Sequence, residues 1–251
     1  MTNTFKVTWT DFTVLKKHDV DRDKPYLWVY GIVVDAATIE SRNFVIRKPS
    51  ASDNLGHKFK KGDSVTVPSS LDISREITPM LGKATAGVVV VAWENAMTKD
   101  SVIADAYSAA GDMINDFVSD LADKDKTLKK VTDAILAGTP LDEIDLEVKI
   151  LDEQLTRLRN DIEAEIRETI KEGAGFFGKA VHDHNIGTGD TVLTLDDDEP
   201  FDLDIAYRFT KDGTDYSLDA DLFYGVVRPG RVHEPGPLPP KHQEPKPTAI
   251  K

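Results

Sequence analysis

The sequence predicts an α+β protein: an antiparallel β-sandwich interrupted by a long helical hairpin, followed by a disordered proline-rich tail. Three observations carry that expectation. Apolar and polar residues alternate with period two over the first hundred residues and again after Gly189, as half-buried strands require. Between these stretches the apolar spacing lengthens to three and four residues, as on an amphipathic helix. Beyond Pro229 bulky apolar residues nearly vanish, and residues 231–251 hold six prolines. Such a tail buries too little to offset its ordering entropy.

The elements follow in order. Phe5, Val7 and Trp9 alternate with polar residues, and Phe12 and Val14 follow. Tyr26 to Val34 is rich in aromatic and β-branched residues, which suit a pleated surface. Phe44-Val45-Ile46 is a further short strand. Lys60-Lys61-Gly62-Asp63 reads as a turn before Val65 and Val67. The solid apolar run Gly87 to Trp93, taken as a strand, is buried on both faces.

Helical spacing begins near Asp100, with Ile103, Ala106, Ala110, Met113, Phe117 and Leu121 on one stripe. Leu128, Val131 and Ile135 continue a short helix that Gly138 can stop. Thr139 then caps a new helix, with Pro140 at its first position and Asp142 near the positive end of its dipole. Ile144, Val148, Leu151, Leu155, Leu158, Ile162 and Ile166 make it about 25 to 30 residues, on the order of 40 Å long. Two such narrow stripes are expected to pack on each other as a helical hairpin, which also leans on the sheet.

Strand signals return with Val192 to Leu195, then Leu203, Ile205, Tyr207 and Phe209, then Tyr216 to Val226 in clean alternation. Lys211-Asp212-Gly213-Thr214-Asp215 joins the last two as a hairpin turn, with Gly for a positive φ. Neither β part has enough strands to stand alone. Residues 1–99 and 189–229 are therefore expected to form one discontinuous sandwich. Residues 100–188 are its helical insertion, and 230–251 its flexible tail.

Composition narrows the function. The chain has 251 residues and a formal net charge of −13, which disfavours nucleic acid. It has no cysteine, so disulfides, thiol nucleophiles and thiolate metal sites are ruled out. The N-terminus has no signal-peptide pattern, and a cytoplasmic location is expected from that. The longest apolar run, Ala86 to Trp93, falls far short of the roughly 20 residues of a membrane span.

Most motif-like stretches carry little chemistry. Gly173-Ala174-Gly175-Phe176-Phe177-Gly178-Lys179-Ala180 contains G-x-G-x-x-G and G-x-x-x-x-G-K. A phosphate loop needs a strand before it and a helix after it, and Ala180 stands where a magnesium-holding hydroxyl would be needed. It reads as a glycine-rich helix end. His182-Asp183-His184 could share a metal in an extended segment but has no third ligand nearby; Asn185-Ile186-Gly187 suggests a loop. No G-x-S-x-G, H-E-x-x-H or Ser/His/Asp grouping occurs, so the residues support no enzyme.

The acidic loops are the stronger signal. Asp19, Asp21 and Asp23 alternate just before the strand at Tyr26. Calcium takes six to eight oxygen ligands, and closely spaced aspartates supply them. A second cluster runs from Glu94-Asn95 to Lys99-Asp100, after the apolar run that ends at Trp93. A third is Asp196-Asp197-Asp198-Glu199.

Asp23-Lys24-Pro25-Tyr26-Leu27-Trp28-Val29, followed later by Val88 to Trp93, Glu94-Asn95 and Lys99-Asp100-Ser101-Val102-Ile103, resembles a calcium-dependent lipid-binding β-sandwich domain of the protein kinase C type. The resemblance covers about residues 5 to 105 and 190 to 227. Lys24 is inserted into the family's Asp-Pro-Tyr entry, Glu94 and Asn95 stand at its paired aspartates, and the helical segment is foreign to it. The resemblance implies a sandwich, calcium as the bound ion, and Asp19, Asp21, Asp23, Glu94, Asn95 and Asp100 as its ligands.

The first functional expectation is thus a non-enzymatic binding module. Its acidic loops would bind calcium and engage an anionic membrane surface or a protein partner. The alternative is a metal-free structural or assembly protein, associating through the helical hairpin as a homo-oligomer or with a partner. A further alternative is a membrane-active, toxin-like protein whose helical hairpin detaches from the sandwich and inserts, although the charge density of 143–172 suits a surface-lying amphipathic helix better than a span.

Overall fold

A computed structural model of the chain describes residues 2–16, 24–49, 54–56, 59–80, 82–94, 99–124, 152–174, 184–211 and 213–227. Among them nine strands form two antiparallel sheets. The strands are β1 (Asn3–Lys16), β2 (Pro25–Val34), β3 (Val45–Arg47), β4 (Ser64–Thr66), β5 (Ile73–Glu76), β6 (Lys83–Glu94), β7 (His184–Asp196), β8 (Phe201–Lys211) and β9 (Thr214–Val226). The helices are α1 (Ala36–Ser41), α2 (Asp100–Lys124) and α3 (Asp152–Ala174).

The first sheet has the order β4-β1-β9-β8, with β5 also on β1; the second has the order β3-β2-β6-β7. Alternation in β1 sends Phe5, Val7 and Trp9 into the core. A bulge between Trp9 and Phe12 then shifts the parity, so that Phe12 and Val14 face the same way. From β9 come Tyr216, Leu218, Ala220, Leu222 and Tyr224, and from the second sheet Leu27, Val29, Val88 and Val90. These side chains interdigitate as the sandwich core. The Lys211–Asp215 turn joins β8 to β9 with Gly213 at φ 85°.

The second sheet is buried on both faces. All ten residues of β2 are buried, and β6 is buried from Ala84 to Trp93. Odd residues of β2 point into the sandwich. Even residues Tyr26, Trp28, Tyr30, Ile32 and Val34 point the other way, with Val89, Val91 and Trp93 of β6, into a second core. Ile103, Ala106, Ala110, Ile114 and Val118 of α2 and Leu158, Ile162 and Ile166 of α3 complete that core. The described part is three layers: sheet, sheet and helices.

The expected α+β class with a long helical hairpin is corrected here. The described residues are mainly strand, in two antiparallel sheets, and they show no hairpin. The helix expected from Thr139 begins, among the described residues, at Asp152; residues 125–151 lie outside the description. The physical reason lies in what the stripes bury. A narrow apolar stripe predicts a helix partner, but the stripes of both helices also share one core with the aromatic outer face of β2 and β6. α2 and α3 touch each other side by side as they cover that face.

Polar ties fix the layer. The Tyr30 hydroxyl donates to the Tyr107 carbonyl at 2.9 Å, and the Tyr107 hydroxyl donates to the Val29 carbonyl at 3.2 Å. Their rings stack at 4.7 Å. Asn115 accepts from the Phe44 amide at 2.9 Å, Arg47 pairs with Asp112, and Arg159 pairs with Asp190 of β7.

β7 starts earlier than its glycines suggest. The stretch read as a loop at Asn185-Ile186-Gly187 is strand, bulged against Ala92 and Trp93. Gly187 and Gly189 seat aromatic rings: an added Cβ would come within 2.9 Å of the Phe209 ring and 2.5 Å of the Tyr207 ring. At Gly87 of β6 an added Cβ would lie 2.3 Å from the Thr191 carbonyl oxygen of β7. Gly87→Ala is expected to destabilise the fold by about 1–3 kcal/mol, since backbone must move. A denaturant midpoint unchanged by the substitution would contradict the β6–β7 pairing.

Candidate functional site

Strand register decides which loops meet. Pro25 of β2 pairs with Glu94 of β6, and Glu94 pairs with His184 of β7. The described residues that flank 17–23, 95–98 and 175–183 therefore lie at one end of the sandwich. The Lys60–Asp63 turn joins them, because the Gly62 amide donates to the Val14 carbonyl at 2.7 Å. Lys16 of β1 pairs with Asp215 of β9 at this same end.

The expected ligand residues fall as follows. Glu94 is the last residue of β6 and half-buried; Asp100 opens α2 and is exposed. A carboxylate there favours the positive end of the helix dipole. Asp19, Asp21, Asp23 and Asn95 lie outside the described residues, as do His182 and Asp183. Glu94 thus sits where the chain enters the 95–99 segment, one strand from where it leaves the 17–24 segment. Among the described residues no three His, Asp or Glu side chains come together.

The third acidic cluster is elsewhere. Asp196 pairs with Lys83 at the opposite end of β6. The Asp197 amide donates to the Gly82 carbonyl, and Asn3 donates to the Asp197 carbonyl at 3.0 Å. Asp196 to Glu199 is a structural turn between β7 and β8. The glycine-rich stretch follows a helix: Gly173 and Ala174 close α3, and residues 175–180 lie outside the description.

Charge is unevenly spread. Lys16, Lys24, Lys60, Lys61 and Lys99 are exposed at the end that carries Glu94 and Asp100. The outer face of the first sheet is acidic instead, with Asp202, Asp204, Asp219 and Asp221 on β8 and β9. Asp204 lies directly opposite Asp221. Burial, and then the nearby charge of Asp11, raises the Asp219 pKa above the usual carboxylate value.

Sequence reasoning missed a second group, just inside the lysine-bearing end and under the helices. The Trp28 and Trp93 rings are 5.2 Å apart, and Tyr107 meets the Trp28 ring edge-on at 5.6 Å. Both indole N–H groups, both amide atoms of Asn185 and the Thr188 hydroxyl are buried with no hydrogen-bond partner. An unmet buried polar group costs about 1–3 kcal/mol. The available signal was a tryptophan on each strand of a doubly buried pair. What they face depends on topology.

No protein-family model, curated protein or solved structure matches the chain.

Burial holds the phenols of the stack neutral. It raises Tyr30 well above its ordinary value and pushes Tyr107 up to about 12. A raised folded value means that this stability is fully present below the unfolded tyrosine pKa of about 10. It is lost as the pH climbs through the folded value. Tyrosinate absorbance of the native protein is expected to lag behind that of the unfolded chain, and melting temperature to fall above about pH 10. Coincident absorbance curves would contradict the buried stack.

Proposed function

We propose that this protein is a non-enzymatic binding module that holds calcium in its acidic loops and meets an anionic membrane surface with the same end. One observation carries the reading. The pairings Pro25 with Glu94 and Glu94 with His184 gather at one end the strand termini that flank Asp19, Asp21, Asp23, Asn95 and Asp100. Strand termini far apart in sequence thereby become neighbours, and the acidic segments they anchor would supply the six or more oxygen ligands that calcium takes.

The lysines support the membrane half of the reading. Lys16, Lys24, Lys60, Lys61 and Lys99 would meet lipid phosphates directly, while calcium bridges the carboxylates to the same surface. The acidic outer face of the first sheet would be repelled, which orients the approach. The resemblance to calcium-dependent lipid-binding sandwiches points the same way. Spanning is not part of the reading: no helix among the described residues is long and apolar enough to cross a membrane. Association through a helical hairpin is not carried forward, because the helix stripes are already used on the second sheet.

The test is calorimetric titration of chelator-stripped protein with calcium, with magnesium as control, followed by sedimentation with phosphatidylserine vesicles. Saturable calcium binding is expected, lost in Asp21→Asn/Asp23→Asn and weakened in Glu94→Gln, with vesicle binding only when calcium is present. Heats no larger than those of dilution would overturn the calcium reading. Calcium binding without vesicle binding would overturn the membrane half and leave a protein partner.

A further inference from the structure

Buried polar side-chain atoms without a partner, among the described residues, lie together on one face of one sheet. They are Trp28 Nε1, Trp93 Nε1, Asn185 Oδ1 and Nδ2, and Thr188 Oγ1. The register places them in two adjacent rows. Tyr26, Trp93 and Asn185 form one row across β2, β6 and β7, and Trp28, Val91 and Thr188 form the next. Tyr26, Trp28, Val91 and Trp93 belong to the helix-facing core, which gives that face to both rows. Ile103 and Ala106 of α2 and Ile162 and Ile166 of α3 belong to the same core.

Elsewhere among the described residues, buried polar side chains follow the usual rule and are paired. Trp9 Nε1 donates to the Leu71 carbonyl at 2.9 Å, and the Tyr207 hydroxyl donates to Thr191 at 2.8 Å. The unpaired atoms are therefore a local property of this corner.

We propose that Trp28, Trp93, Asn185 and Thr188 form a buried site for an uncharged oxygen ligand: the hydroxyl or carbonyl oxygen of a small molecule, or ordered water. The donor inventory sets the chemistry. An indole N–H can only donate, so the occupant must accept, and an oxygen accepts from two directions. The Asn185 amide and the Thr188 hydroxyl can both donate and accept, which suits a hydroxyl, an amide or water. Asp190 on this face of β7 is already paired with Arg159, which favours an uncharged occupant. Aromatic walls with a few convergent polar groups are the usual lining of a small-molecule site, and buried water needs two to four such groups. The site is separate from the calcium reading and stands or falls without it.

Two measurements on the full chain decide it. Thr188→Val and Asn185→Leu remove hydrogen bonds from an occupied site, so each is expected to lower the melting temperature by about 2–4 °C. At an empty site the same changes remove an unmet polar atom and raise it. In the unmodified protein the Trp28 and Trp93 indole protons should show a contact with a long-lived water. Otherwise the native mass should exceed the chain mass by a stoichiometric small molecule. The first result identifies water and the second an organic ligand. Trp9, bonded to the Leu71 carbonyl, is the internal control. No water contact, no added mass and higher melting temperatures in both variants would overturn the proposal.

Discussion

β2 and β6 pair over ten positions, from Pro25 with Glu94 to Val34 with Thr85, and neither strand has a face fit for water. Burying each large side chain here is worth about 1.5–3 kcal/mol, but only if both faces are covered. One cover is the first sheet, with β1 and β9 at its centre. The other has to come from the chain between β6 and β7. These two strands are antiparallel neighbours, which a short turn could have joined. Instead two helices, α2 and α3, lie between β6 and β7 in sequence, and both contribute side chains to the core on the outer face of β2 and β6. The helical layer is what makes a doubly apolar ribbon tenable, and the Tyr30–Tyr107 stack, with its two hydrogen bonds, locks the layer in register.

The same pairing organises the chemistry. Register brings Pro25, Glu94 and His184 together at one end, and with them the strand termini that flank the acidic segments. The unpartnered Trp93 and Asn185 lie one layer inside that end, where the helices begin and finish. Exposed charge and buried polarity thus occupy adjoining levels. Elsewhere, polar groups serve structure. Asp35 caps α1 through the Thr38 amide and also accepts from the Thr78 amide at 2.9 Å. Asn54 closes both hydrogen-bonding groups of Leu27.

Much of the strand layout was legible in the sequence, because alternation depends only on which face is dry. Phe5 to Trp9, Tyr26 to Val34, Gly87 to Trp93 and the Lys211–Asp215 turn all read correctly at the level of single elements. The helix stripes were legible too, but a stripe states only that something apolar lies opposite. Whether that is another helix or Trp28 and Tyr30 is a tertiary fact, and the expectation of a hairpin failed there. Gly187 and Gly189 misled for a related reason: they resemble loop glycines until Phe209 and Tyr207 of a later strand are seen to rest on them. Of the candidate site, the sequence supplied the acidic clusters but not their ends. Register puts Glu94 beside the strand that follows Asp23 and sends Asp196 to the opposite end. Asn185 and Thr188 carried no signal at all, since their interest lies in lacking partners.

The central claim is that the second sheet is the middle layer, covered on one side by the first sheet and on the other by α2 and α3. Native-state amide hydrogen exchange tests it most directly. If the claim holds, the amides of β2 and β6 exchange only by global unfolding, and those of Ile103 to Val118 in α2 share that protection. Fast exchange throughout α2, with β6 less protected than β1 and β9, would show that the helices do not cover the sheet and would contradict the account.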